Sequence, residues 1–214
     1  QQGTMFERIL LPLDFSEQSM LMLDHVMELR SHGANEAILL NVRDRDDEAS
    51  AEERKMMDAA TSLLNEQGLI VRSLFLKGDP VEIILEVADK EEVDIISMAS
   101  SGKGRSKEFL LGSTSFGVIR RSNKPLLIDK LRVEVKDGHM IVDHFNNCIL
   151  RKALVPIDLT PCSKTLADHI GALHRYGLKE SVLFHVVESA RFNEDDSEHF
   201  LSVEKRLNEI KEVL

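Results

Sequence analysis

The residues best suited to chemistry fall in one stretch of the chain. Ala99-Ser100-Ser101-Gly102-Lys103-Gly104 is followed by Gly112-Ser113, with nine residues separating Gly102 from Gly112. Successive backbone N–H groups in a glycine-rich turn can point at one anion with no Cβ in the way. A Gly-Ser pair opening a helix adds unpaired N–H donors, the positive end of the helix dipole and a hydroxyl. The chemistry this pattern supports is the holding of a phosphate. Asp14, closing an apolar run, would accept hydrogen bonds from a ribose or a base, as acidic residues do in other doubly wound folds. Plainer readings exist for each: Gly102 and Gly112 as turn or cap glycines, Ser113 as a helix cap, and Asp14 as a cap of the helix that follows it. Lys103, Arg105 and Lys107 read as a solvated loop rather than as phosphate ligands.

Other reactive side chains offer less. His139, Asp143 and His144 resemble a metal set, but on a strand Asp143 and His144 point to opposite faces, and no metal site is expected. His25 and His169 have no Ser or Cys partner in view and read as packing or surface residues. The methionines Met20, Met27, Met56 and Met57 read as core filler. No positioned general base and no nucleophile pair emerges, so the chain is read as a non-enzyme, with slow ATP hydrolysis as the upper limit. Cys148 and Cys162 are the two cysteines; their spacing fits neither a disulfide framework nor a zinc site, and both read as reduced thiols.

The elements that must hold the glycine-rich stretch are legible from periodicity. A short apolar run at 6–13 reads as a strand buried on both faces, and 37–42, 69–76, 94–98 and 125–128 read as the further strands. Between them lie helical patterns: one capped by Ser16, with Met20, Leu23, Val26 and Met27 as its stripe and Gly33 at its end; one with Met56, Ala60, Leu63 and Leu64, ending near Gly68; one opened by Asp79-Pro80-x-Glu82, with Ile83, Ile84 and Val87 inward; and one over 113–121. The acidic residues at 44–53 read as a solvated loop. Strands alternating with helices at these lengths require a parallel sheet with right-handed crossovers and helices on both faces, and such sheets bind ligands at the carboxyl ends of their strands. Residues 131–135 and 140–142 alternate around Asp137-Gly138, a hairpin signal.

The chain contains an internal repeat. Ile9-Leu10-Leu11-Pro12-Leu13-Asp14-Phe15-Ser16 returns as Ala153-Leu154-Val155-Pro156-Ile157-Asp158-Leu159-Thr160, 144 residues further on. The same offset, without a gap, carries Asp24-His25 onto Asp168-His169, Leu29 onto Leu173, Gly33 onto Gly177, Glu36 onto Glu180 and Val42 onto Val186. The expected organisation is a first domain over 5–129, a hairpin linker over 130–147, and the N-terminal half of a second copy over 148–214. Counterparts of Gly102 and Gly112 would lie beyond residue 214, so the second copy is not expected to complete a pocket of this kind. Half a parallel sheet leaves an open edge and an uncovered face.

Composition narrows the partners. The 214 residues carry 27 Lys+Arg against 37 Asp+Glu, a formal charge of −10, which argues against sequence-independent nucleic-acid binding. With 43% hydrophobic residues and no long apolar run, the chain is expected to fold without a membrane anchor and to be cytoplasmic. Residues 1–4 read as a short tail. A flavodoxin-like FMN carrier is disfavoured, since Trp is absent and Tyr occurs once.

Taken together, a first strand ending in Asp, a second ending in Val, and Ala99-x2-Gly102-x9-Gly112-Ser113 after the fourth strand resemble the universal stress protein family, whose pattern there is Gly-x2-Gly-x9-Gly-Ser/Thr. The resemblance covers the first unit wholly and the second as far as it goes. It implies a five-stranded α/β domain of the adenine nucleotide alpha hydrolase type, with strand order 3-2-1-4-5, domains that pair as a homodimer or within one chain, and in one branch ATP or AMP binding. Mg would accompany only a polyphosphate. Carried over, the resemblance implies that Pro12, Asp14 and Val42 border the adenosine, that Met98 and Ala99 follow the end of the fourth strand, and that Gly102, Gly112 and Ser113, with Thr114 next in the helix, hold phosphate. One position departs from the family pattern: the first glycine of the motif is Ala99. If that site required φ > 0 or very close backbone approach, the methyl group would be unwelcome. This gives AMP and ADP equal weight with ATP. It also favours the alternative of an interaction module of the same fold that does not bind nucleotide.

Overall fold

In the computed structural model of the chain, residues 6–43, 47–100, 112–136, 139–144, 149–186 and 197–213 are described, with the backbone alone at 131–136, 139–144, 164, 197–200 and 213. Two compact units divide it, 1–147 and 148–214.

Apolar runs buried on both sides form the centre of the first unit. In β1 (Arg8–Pro12), Ile9, Leu10 and Leu11 have no exposed surface, and β2 (Glu36–Arg43) and β4 (Ile95–Ala99) are buried in the same way. Each such Leu or Ile contributes roughly 1.5–3 kcal/mol by leaving water, which requires cover above and below. The cover comes from a parallel five-stranded sheet in the order β3 (Ile70–Lys77), β2, β1, β4, β5 (Leu126–Asp129), with helices on both faces. Alternation puts Leu10, Ile38, Leu40, Ile96 and Met98 on one face, where they meet Ile84, Val87 and Ala88 of α3 (Pro80–Lys90) and Val118 of α4 (Ser113–Arg121). The opposite face lies under α1 (Glu17–Arg30) and α2 (Ala51–Glu66).

Local devices set the helix starts. Ser16 accepts from the Ser19 N–H at α1, Ser50 and Glu53 form a reciprocal capping box at α2, and Asp79 accepts from the Glu82 N–H at α3 with Pro80 in the first turn. Several sequence expectations are corrected in detail. The buried stripe of α1 is Met22, Leu23, His25, Val26 and Leu29, while Met20 and Met27 are half-buried, because α1 packs against β7 and α2 as well as β4 and so buries a wider, rotated arc. In α2 the core methionine is Met57, not Met56, and Leu63 is exposed. In α3, Ile84, Val87 and Ala88 are buried, with Ile83 half-buried. The acidic stretch is partly a fastening: Arg43 reaches Asp47 at 2.5 Å and Glu53 at 3.1 Å. The Ser50 N–H together with Arg43 holds the Glu53 carboxyl down at about 2.

Beyond the sheet, β6 (Leu131–Lys136) and β7 (His139–His144) pair antiparallel with Lys136 opposite His139; the anticipated turn at Asp137-Gly138 lies outside the described residues. So do the side chains of His139, Asp143 and His144. Among the described residues, no group of three or more His, Cys, Asp or Glu could hold a metal ion, and no helix is long and apolar enough to cross a membrane.

The second unit is a two-stranded parallel sheet of β8 (Lys152–Pro156) and β9 (Glu180–Phe184) with α5 (Cys162–Arg175) and α6 (Ser197–Val213). Val155, Ile157, Leu159, Ile170 and Leu178 form its core, against which Val203, Leu207 and Ile210 of α6 pack. Pro161 stands just before α5 with helical dihedrals already in place. Bonds repeat those of the first unit. The Leu13 N–H donates to Leu40 O at 2.7 Å and the Ile157 N–H to Phe184 O at 2.7 Å; Arg8 pairs with Glu36 and Lys152 with Glu180, each at 2.7 Å. Phe15 (φ 58°) and Leu159 (φ 60°) are both left-handed, as are Gly33 and Gly177.

Candidate functional site

The carboxyl end of the first unit's sheet gathers most of the singled-out residues. β1 lies between β2 and β4, and its ladder to β2 runs on through Pro12 opposite Leu40, whereas its ladder to β4 stops at Leu10 opposite Ile96. The two central strands part there, at the point where the sheet order reverses. That is where open α/β sheets form a ligand crevice.

On the β1 side, Pro12 is the last strand residue. Asp14 turns the chain: its Oδ1 accepts from the Ser16 N–H at 3.0 Å and the Ser16 hydroxyl at 2.5 Å, so it organises the start of α1. The cap of α1 is Ser16 itself and not Asp14, which braces that cap residue through one carboxylate oxygen. Phe15 takes up the left-handed conformation that this turn needs and buries its ring 6.2 Å from Phe75. A non-glycine residue held there costs of order 1–3 kcal/mol, a strain that concentrates at functional turns. On the β2 side, Val42 is half-buried at the end of its strand. Asn41, buried among aliphatic neighbours, donates through Nδ2 to Leu13 O at 2.7 Å and ties the two strand ends together.

On the β4 side, Met98 and Ala99 are buried at the end of the strand. Ala99 is not among the described residues with positive φ, which are Phe15, Glu92 and Leu159 besides glycines. A methyl group therefore strains nothing in the backbone at this position. Ser100 bridges the rim: its N–H donates to Asp129 O at 2.8 Å, and its carbonyl accepts from the Gly112 N–H at 2.7 Å. Gly102, Lys103, Arg105 and Lys107 lie outside the described residues.

Gly112 is the N-cap of α4, with φ −60°, and Ser113 and Thr114 are the first two helical residues, Ser113 exposed and Thr114 half-buried. α1, α2 and α3 are each capped by a side chain; α4 has no side-chain cap hydrogen bond. Its first-turn N–H groups, at the positive end of the helix dipole, carry the character of an anion site. Two further residues fix this helix. Ser115 donates its hydroxyl to Ala99 O at 2.9 Å, and Gly117 leaves space that a Cβ would lose, since it would stand 2.7 Å from Val81 Cγ2. Arg121 pairs with Glu82 at 2.6 Å on the outside of α3.

Asn41, Ser115 and Phe15 were not picked out from the sequence as site residues, and Ser100 entered only as part of the glycine-rich stretch. Asn41 had a signal, a lone amide inside an apolar strand, and Phe15 had one too, its place between an Asp and a Ser cap. His25 is buried rather than on the surface, with Nε2 3.4 Å from Asp129 Oδ2, while His169 is exposed and bonds Thr165 O of its own helix.

The first unit is a doubly wound α/β domain of the adenine nucleotide alpha hydrolase-like type, with its topological switch point between β1 and β4. The profile of the Universal stress protein family matches residues 5–130, and the chain belongs to that family. Universal stress protein MJ0577 of Methanocaldococcus jannaschii is 34% identical over 157 residues, covering 60% of this chain and 97% of its own. The solved structure of MJ0577 matches with a TM-score of 0.56 and 36% identity, over 60% of this chain and 98% of that one. A universal stress protein of Archaeoglobus fulgidus matches in fold, with a TM-score of 0.62 and 23% identity, over 95% of this chain and 74% of that one.

Proposed function

We propose that the first unit binds an adenine nucleotide at the carboxyl end of its sheet and that the protein acts as a stress-response sensor or assembly switch, without efficient catalysis. The observation that carries this reading is the α4 N-terminus, which has no side-chain cap and sits beside the parted ends of β1 and β4. Pro12, Asp14 and Val42 would border the adenosine, Met98 and Ala99 would form the floor beside it, and Gly102, Ser113 and Thr114 would contact phosphate, with Gly112 shaping the approach. The Gly112 N–H is engaged by Ser100, so its contribution is the absence of a side chain rather than a donor. AMP, ADP and ATP all suit this set, Mg entering only with a polyphosphate. The second unit is proposed to be the N-terminal half of another such domain.

A second reading rests on Ala99, which brings a buried methyl group to the place of the family's first motif glycine. On that reading the fold serves as a dimerisation module and binds no nucleotide. Denaturing the purified protein and identifying released small molecules by mass spectrometry separates the two. Adenine nucleotide near one per chain supports the first. No release, together with no rise in melting temperature on adding ATP, ADP or AMP, supports the second.

A further inference from the structure

Two hydrogen bonds of different kinds join the start of α4 to the end of β4. One runs between main chains, from the Gly112 N–H to Ser100 O at 2.7 Å. The other comes from a side chain: Ser115 donates its hydroxyl to Ala99 O at 2.9 Å, 16 residues back in the chain. A serine inside a helix commonly bonds a carbonyl three or four residues earlier in its own helix. Gly112 O stands in that place and accepts the Phe116 N–H instead, while Ser115 passes over it for the strand. Of the first three helical residues Ser115 is the buried one; Ser113 is exposed and Thr114 half-buried. The other described attachments of α4 act further along it and reach α3. Gly117 comes close to Val81, Val118 shares the core with Ile84, and Arg121 pairs with Glu82.

We propose that Ser115 is a positioning residue of the nucleotide site, its hydroxyl fixing the phosphate-contacting start of α4 relative to the adenosine floor at Met98 and Ala99. The inference rests on the nucleotide reading above and adds to it the link between the two halves of the ligand. Ser115 touches neither half. It clasps the carbonyl of Ala99, a floor residue, and directly follows Ser113 and Thr114, the phosphate contacts. A nucleotide spans both sides and is held well only when they are in register, and binding groups need support of this kind to stay within about 0.5 Å of a productive geometry. Adenosine meets the strand side alone. Loss of the clasp therefore penalises a nucleotide more than its nucleoside, which makes Ser115 a determinant of preference for the phosphorylated form. The helix itself is not weakened by the obvious substitution, since alanine is the best helix former.

The test uses the full chain with AMP and adenosine as probes, AMP by isothermal titration and adenosine by ligand-observed NMR, which reads weak complexes. The wild type should bind AMP more tightly than adenosine. Ser115→Ala should bind AMP about tenfold more weakly, with adenosine within about threefold of the wild type and circular dichroism unchanged. Ser115→Thr, which keeps the hydroxyl, should return AMP binding to within about threefold of the wild type. An alanine variant that keeps its AMP affinity overturns the inference, as does a threonine variant as weak as the alanine one. Equal losses for AMP and adenosine overturn it too, since they would mark a general loosening of the fold. So does a wild type that binds AMP but no adenosine, because the floor would then hold nothing for the helix to be aligned with. A wild type that binds neither ligand brings down the nucleotide reading itself, and this inference with it.

Discussion

Two regions of this molecule share one skeleton and differ in what lies over it. β1–α1–β2 of the first unit and β8–α5–β9 of the second repeat the same Asp turn, the same left-handed residue after it, the same strand-to-strand bond and the same salt bridge at the strand start. Even the tie across the strand ends survives a change of chemistry: Asn41 Nδ2 donates to Leu13 O, and His185 Nδ1–H donates to Ile157 O, both at 2.7 Å. Yet Leu10 is sealed and Leu154 is bare. Turns and caps are written into a few adjacent residues, while burial depends on elements that arrive much later in the chain, here α3, β4 and α4.

The largest expected effect tests that contrast directly. Leu10→Ala should cost about 2–5 kcal/mol of stability, the transfer term plus an unfilled cavity. Leu154→Ala, measured by urea unfolding, should stay within about 0.5 kcal/mol of the wild type. Equal costs would mean that the two strands are covered alike.

Next in size is Gly117→Ala. A methyl group there meets Val81 of α3 at 2.7 Å, and because Val is stiff at χ1 the helix must shift instead. A loss of about 1–3 kcal/mol is expected from overpacking. Nucleotide affinity should fall with it, since the displaced α4 carries Ser113 and Thr114. Gly112→Val leaves a backbone at φ −60° and ψ 153° that valine accepts, so folding should be retained while isothermal titration reads at least a tenfold weaker nucleotide complex. Unchanged affinity would remove the phosphate site from the start of α4.

Much of this architecture was legible in the sequence because the signals were local and redundant. Ser16, Asp79-Pro80 and the Gly33 and Gly68 stops each announce a helix boundary, and the boundaries fall within a residue or two of expectation. Parallel strands buried on both faces read as plain apolar runs, which is why β1 and β4 were easy to place. What escaped was whatever depends on a neighbour distant in sequence. The buried arc of α1 turned toward Met22 and His25 because β7 packs beside it, more than a hundred residues later. Ser115 acquired its role from the Ala99 carbonyl, 16 residues earlier in the chain, and nothing in the local string Ser113-Thr114-Ser115 distinguishes it from its neighbours. The strength of the Ala99 objection likewise depended on a dihedral angle that composition does not carry.

The smallest effect concerns the second unit's own Asp turn, and it sharpens the comparison with the first. Asp158 accepts from the Thr160 N–H at 3.0 Å, the Thr160 hydroxyl at 2.7 Å and the Ser163 hydroxyl at 2.9 Å, and these donors favour the ionised carboxylate, lowering its pKa from 3.8 to about 2. Between those values the unfolded chain binds the proton more readily than the folded one, so stability rises with pH across the window. The contribution is complete above about pH 4 and drains away as the pH falls through about 2. Tyr176, the single tyrosine in a chain without tryptophan, ends α5 and reports this unit alone by fluorescence. Asp158→Asn should flatten the acid limb of its unfolding profile while leaving neutral-pH fluorescence unchanged. An acid limb identical to the wild type would mean that the turn is held by its backbone, with the carboxylate a bystander.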